Sequence, residues 1–177
     1  MADNPNKPWN LKRYDTTSRE SAIGFVNDLM MRNEDAAQKY REAAALADED
    51  STKEYLESLS RHRQALYQEL YEWMDALPPT PMPVNKRVRS ELHHRWEEFQ
   101  EALKLNQESK IADIVQASER ELKKQYREAT AQKGIPVDIH DMMNEQHKHI
   151  LEVLRKVERM DIVPMRRNNK FNPPEEK

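Results

Sequence analysis

From Ala22 onward, apolar side chains recur in alternating steps of four and three. Ala22, Val26, Leu29, Asn33, Ala36, Tyr40, Ala43 and Ala47 fall on one face of a long helix, the spacing of an amphipathic element. Asn33 is the polar member of that stripe. Thr17-Ser18-Arg19-Glu20 fits a capping box at its start. Asp48-Glu49-Asp50 reads as a short turn, and Ser51-Thr52-Lys53-Glu54 as a second capping box. The helix that follows carries Tyr55, Leu59, His62, Leu66, Leu70, Trp73 and Leu77 on one face. A short link between long helices implies antiparallel neighbours.

The run Pro78-Pro79-Thr80-Pro81-Met82-Pro83 stops the second helix. A shorter helix is predicted over residues 86–105, with Val88, Leu92, Trp96, Phe99 and Leu103 on one stripe. Asn106-Gln107-Glu108 interrupts it. A third long helix carries Ala112, Val115, Glu119, Leu122, Tyr126 and Ala129, and Lys133-Gly134-Ile135-Pro136 closes it with glycine and proline. The last long helix carries Met142, Gln146, His149, Val153, Val157 and Met160. The expected architecture is all-α: two antiparallel hairpins joined by a long crossover that contains a short helix. A bundle with one long crossover is how ferritin-like chains connect. Residues 1–15, with Pro5 and Pro8, read as an irregular lead-in, residues 16–160 as the four-helix bundle, and residues 161–177 as a flexible tail.

Composition narrows the picture. Charged residues make up 34 % of the 177-residue chain, and there are only two glycines. That excludes a glycine-rich phosphate loop and suits long helices with solvated faces. The net charge of −3, with both signs interleaved, argues against nucleic-acid binding. The absence of cysteine excludes thiolate chemistry. No apolar run is long enough to cross a bilayer, and the first residues have no hydrophobic region, so the expectation is a cytoplasmic protein without membrane partners.

Tyr40-Arg41-Glu42-Ala43 recurs as Tyr126-Arg127-Glu128-Ala129 at an offset of 86 residues. This shift pairs Asn33 with Glu119. A shift of 87 pairs Leu59 with Gln146 and His62 with His149. The implied repeat is two similar hairpins about a pseudo-twofold axis. It brings Asn33, His62, Glu119, Gln146 and His149 to one level of the core. Di-iron bundles place there a Glu from each of two helices and a Glu-x-x-His from each of the other two. Here Asn33 and Glu119 stand at the first pair of positions. Leu59-x-x-His62 and Gln146-x-x-His149 stand at the second. One carboxylate remains, too little charge for two irons.

Two readings follow. In the first, Asn33, His62, Glu119, Gln146 and His149 form a buried polar layer, with the Tyr40 and Tyr126 hydroxyls available to it, and no cofactor is needed. In the second, His62, Glu119 and His149 hold one iron or zinc ion. A slip of one residue would put Arg63 in the core in place of His62 and turn His62 toward solvent.

The tyrosines seven residues after the two seam positions, Arg63 with Tyr67-Gln68-Glu69-Leu70, His94-Arg95-Trp96, and Ala117-Ser118-Glu119-Arg120-Glu121 carry a resemblance. Residues 18–160 are similar to a family of bacterial four-helix-bundle domains of unknown function in the ferritin-like superfamily. The resemblance implies the bundle fold and carries no activity with it. Glu91-Leu92-His93-His94 contains a literal Glu-x-x-His, but on the crossover, where a surface position is expected. Trp73, Trp96 and Phe99 read as packing between bundle and crossover. Met30-Met31 and Met142-Met143 read as core fillers that a homodimer through a helix face would also use. The function expected is non-enzymatic: an accessory or protein-contact role on a degenerate di-iron scaffold.

Overall fold

The computed structural model describes residues 16–47, 50–77, 85–105 and 107–159. Among the described residues five α-helices follow one another: α1 (Thr16–Ala45), α2 (Asp50–Asp75), α3 (Lys86–Lys104), α4 (Glu108–Thr130) and α5 (Val137–Arg159). No strand occurs among the described residues, and none of their helices is long and apolar enough to cross a membrane. The lead-in at 1–15, the Asp48-Glu49 turn, the proline run at 78–83 and the tail at 161–177 lie outside the described residues.

Helix ends follow local chemistry. α3 starts where Asn85 accepts a hydrogen bond from the Val88 amide through its side chain, satisfying a donor that the first turn would leave orphaned. After α4, Gly134 takes φ 80°, a left-handed conformation that costs glycine nothing. α2 begins at Asp50, so Ser51 lies just inside it rather than capping it.

Side-chain bonds give the helix directions. Ser60 donates to the Ala37 carbonyl across the α1–α2 hairpin. Tyr40 reaches Glu119 and Tyr126 reaches Asn33, so α1 and α4 run antiparallel. His140 lies against Thr130 and Tyr126 against Gln146, which makes α4 and α5 antiparallel. Gln146 meets Leu66 and Glu69, and His62 meets His149, which does the same for α2 and α5. α3 runs parallel to α1, with Asn85 on Asp28 and Glu91 on Arg32. It therefore carries the chain back along the length of the first hairpin.

The core takes the whole expected stripe of α1 from Ala22 to Ala43 and the stripe of α4 from Val115 to Ala129. On the other two long helices the buried stripe is displaced by one residue over part of its length. α2 buries Leu56, Leu59, Arg63, Leu66, Leu70 and Trp73, with Arg63 in the place expected for His62. α5 buries Ile139, Met143, Gln146, Ile150 and Leu154 in place of Met142, His149 and Val153. Both helices carry apolar residues on two adjacent stripes, and packing selects the inner one. Met30 and Met143 are core residues, while Met31 and Met142 are partly exposed.

α3 covers the bundle with Val88, Phe99 and Ala102, and Trp96 lies against Phe99 with ring centroids 5.7 Å apart. Its edge is polar. Arg32 is almost wholly buried and pairs with Glu91 at 3.3 Å. Burial disfavours the Glu91 charge, but the Arg32 bond and charge, with the charges of Arg95 and Arg87, together offset this and hold its pKa below the usual range. Asp28 and Asp35 on α1 are pushed up by burial despite their neighbours Asn85 and Lys39.

Leu70 is fully buried, and Leu105 is 60 % exposed. Leu70→Ala is expected to lower the unfolding free energy by about 2–5 kcal/mol. Leu105→Ala should change it by no more than about 0.5 kcal/mol. Urea titration of both variants measures the contrast.

Candidate functional site

A polar slice crosses the middle of the core, built from residues that seam periodicity alone would make apolar. Asn33, Arg63 and Glu119 are 0 % exposed and Gln146 is 1 % exposed. Each comes from a different long helix, and each has found partners, as buried polar groups must.

Glu119 is the hub. Its Oε1 accepts from the Tyr40 hydroxyl at 2.5 Å and from Arg63 Nε at 3.0 Å. Its Oε2 accepts from Arg63 Nη2. The guanidinium therefore grips the carboxylate in the two-bond fork that arginine geometry favours. Arg63 reaches from α2 across to α4 to do so. A second chain of bonds runs beside the first. Asn33 Nδ2 donates to the Tyr126 oxygen at 2.7 Å and to the Leu29 carbonyl at 2.9 Å. The Tyr126 hydroxyl donates to Gln146 Oε1 at 2.6 Å. Gln146 Nε2 donates to Glu69 Oε2 at 2.8 Å and to the Leu66 carbonyl at 3.2 Å.

The two tyrosines are placed alike. Each stands seven residues after a seam residue on its own helix and bonds the seam residue of the other helix, Tyr40 to Glu119 and Tyr126 to Asn33.

Electrostatics follow from burial. Desolvation works against the Arg63 charge, yet Glu119, with Tyr40 and Tyr126, together more than compensates, and the guanidinium pKa is raised. Desolvation and then the Glu119 charge push the Tyr40 hydroxyl well above its ordinary range. Tyr126 is raised by burial, against the Asn33 bond and the Arg63 charge. Both tyrosines thus act as fixed neutral hydrogen-bond donors.

The expected layer is brought together in part. Asn33, Glu119 and Gln146 meet through the tyrosines and Arg63. His62 is half-buried, and the His149 side chain is 55 % exposed. They face each other at the rim, with ring centroids 5.7 Å apart, and Glu119 is engaged elsewhere. Among the described residues, no group of three or more His, Asp or Glu side chains is arranged to hold a metal ion. Arg63 and Glu69 join the slice instead. The signal for Arg63 was a lone carboxylate on an otherwise neutral seam, which in a dry interior demands a cation. His93 and His94 on α3 are surface residues within reach of Glu97 and Glu98.

A family model described as a domain of unknown function (DUF2383) matches residues 21–132. That span runs from the start of α1 through α3 to the end of α4, and so includes both Arg63 and Glu119. Neither a curated protein nor a solved structure matches the chain.

Removing one member of a buried ion pair strands the other. Glu119→Leu is expected to cost about 3–5 kcal/mol, whereas Arg63→Met combined with Glu119→Leu should recover most of that loss. A double-mutant cycle by chemical denaturation reads this coupling. The tyrosines generate a second expectation. Folded Tyr40 and Tyr126 keep protons that the unfolded chain releases near pH 10, about the ordinary tyrosine value. Above that pH the native state binds more protons than the unfolded state, so stability falls as pH rises. The fall in denaturation midpoint through this range should be shallower in Tyr40→Phe.

Proposed function

The chain belongs to the DUF2383 family of domains, and on that premise we propose a non-enzymatic helical scaffold that acts through protein contacts or in an accessory role. The reading includes a four-helix bundle of ferritin-like topology over residues 16–160, flanked by the segments 1–15 and 161–177. Its support is the run of directions: two antiparallel hairpins, α1–α2 and α4–α5, with α3 returning between them. The crossed bonds of Tyr40 and Tyr126 support an internal repeat of the two hairpins.

The observation that carries the non-enzymatic reading is the state of Glu119. It is the one carboxylate at the four positions where a di-iron bundle would have four, and it is held by Arg63 and Tyr40. Two hard cations need several anionic oxygens to neutralise and bridge them. The four positions supply one anion, and its counter-charge is already beside it. The alternative, a single iron or zinc ion on His62, Glu119 and His149, would require Glu119 to release both partners and both histidines to turn inward.

Tag-free protein mixed with ferrous ion in air is expected to oxidise it no faster than buffer, followed by ferric absorbance. Protein-accelerated oxidation that disappears in Glu119→Gln would overturn the reading.

A further inference from the structure

We propose that the first half of α3, residues 86–95, is a latch: it opens from α1 as a unit while the second half of α3 stays docked and the bundle stays folded. The inference goes beyond the scaffold reading and makes no use of the polar slice.

The two halves of α3 are held by different forces. Phe99 and Ala102 belong to the connected apolar core, and Trp96 and Leu103 pack against it. In the first half only Val88 is buried, and it lies outside that connected core. The α1 helix meets this half with Asp28, Arg32, Asp35 and Lys39, whose spacing of four, three and four residues puts them on one face. Asn85 Nδ2 donates to Asp28 Oδ2 at 2.8 Å. Arg32 donates to Glu91 Oε2 at 3.3 Å, Arg95 lies 2.9 Å from Glu91 Oε1, and Lys39 pairs with Asp35 at 2.6 Å. The seam is a ladder of charges rather than an apolar contact.

Closing this ladder has costs that opening relieves. Arg32 and Lys39 are almost wholly buried, and the attraction within a buried ion pair is largely spent on its own desolvation. Arg32 Nε is buried with no hydrogen-bond partner among the described residues, a penalty that hydration removes. Burial pushes the Asp28 carboxyl up, against the Asn85 bond and the charges of Arg32 and Arg87. It does the same to Asp35, against Lys39, Arg95 and Arg32. Local opening selects segments with few buried apolar contacts, and the first half of α3 is such a segment. Asn85 couples the opening to helix structure, because the side chain that bonds Asp28 also caps α3 at the Val88 amide. Undocking and fraying of the first turn therefore go together.

The same charges give the latch a pH sense. Asp28 and Asp35 hold a proton more tightly in the closed form than in water, so the closed form gains stability as pH falls toward the carboxylate range. Despite its burial, Glu91 is held low by Arg32, Arg95 and Arg87, so its charge persists further into acid and opposes that gain only at lower pH. Opening presents the charged stripe of α1 to solvent.

Amide hydrogen exchange on the full-length protein at pH 7, read by NMR, tests this. Amides of Glu91–Arg95 should exchange at least about tenfold faster, relative to their intrinsic rates, than those of Ala102 and Leu103 and than Leu122–Tyr126 in α4. Glu91→Gln should speed the first half by about a further tenfold, the effect of losing a charge-assisted bond, and leave the α4 amides unchanged. Asp28→Asn should slow it, as should a change from pH 7 to pH 5 once intrinsic rates are corrected. Equal protection along α3, exchange of the first half only through global unfolding, or a Glu91→Gln effect spread evenly over all helices would each overturn the proposal. So would faster exchange of the first half in Asp28→Asn. Ferrous oxidation plays no part in these readouts, so the latch and the scaffold reading can fail separately.

Discussion

A carboxylate placed in a dry helical core must be neutralised, and the bond between Arg63 and Glu119 does this. Moving either ion from water into the interior costs several kcal/mol, and mutual attraction offsets that only when the geometry is close and the remaining lone pairs are satisfied. Here the geometry is close and both carboxylate oxygens are engaged, although Arg63 Nη1 is buried with no hydrogen-bond partner among the described residues. The guanidinium makes a fork onto the two oxygens, and Tyr40 supplies a further donor to one of them. Such a pair adds little net stability compared with a well-packed apolar core. What it does is penalise every alternative register, because any slip of α2 against α4 leaves a buried charge without its partner.

The tyrosine bonds extend that constraint to α1 and α5. Tyr40 ties α1 to the Glu119 hub, while Tyr126 ties Asn33 on α1 to Gln146 on α5. All four long helices thus meet in one slice. Above and below it the core is apolar, with Leu29, Leu66, Leu122 and Ile150 among its members. Apolar contacts stabilise the packing but tolerate sliding by a turn. Directional bonds do not. The slice therefore sets register, and the apolar layers supply the driving force for burial.

This division explains what was legible in the sequence. The helices and the stripes of α1 and α4 were readable because their apolar positions are narrow and their polar faces clear. α2 and α5 were not, because Tyr55 sits beside Leu56, and Met142 beside Met143. An apolar band wider than one stripe does not say which of its members is central. The choice is made by tertiary bonds: Arg63 by Glu119, and Gln146 by Tyr126. Periodicity ranks an arginine as a surface residue, so the residue that centres α2 was legible only as a slip alternative. The five-residue layer was legible for Asn33, Glu119 and Gln146, and not for the two histidines. The crossed tyrosines were legible as an equal spacing from two seam positions, although not as the bonds they make.

The two histidines illustrate the same point from the other side. α2 and α5 are neighbours, and the inner stripe of each is rotated by one residue in the same sense relative to simple periodicity. His62 and His149 therefore leave the core together and remain adjacent. Their juxtaposition survives while their chemistry changes. In the core they would have stood beside a guanidinium, whose positive charge opposes any dication in a medium of low dielectric. At the rim, His149 has Glu152 beside it. The interior slice is thus closed by its own ion pair, and the two histidines meet at its edge.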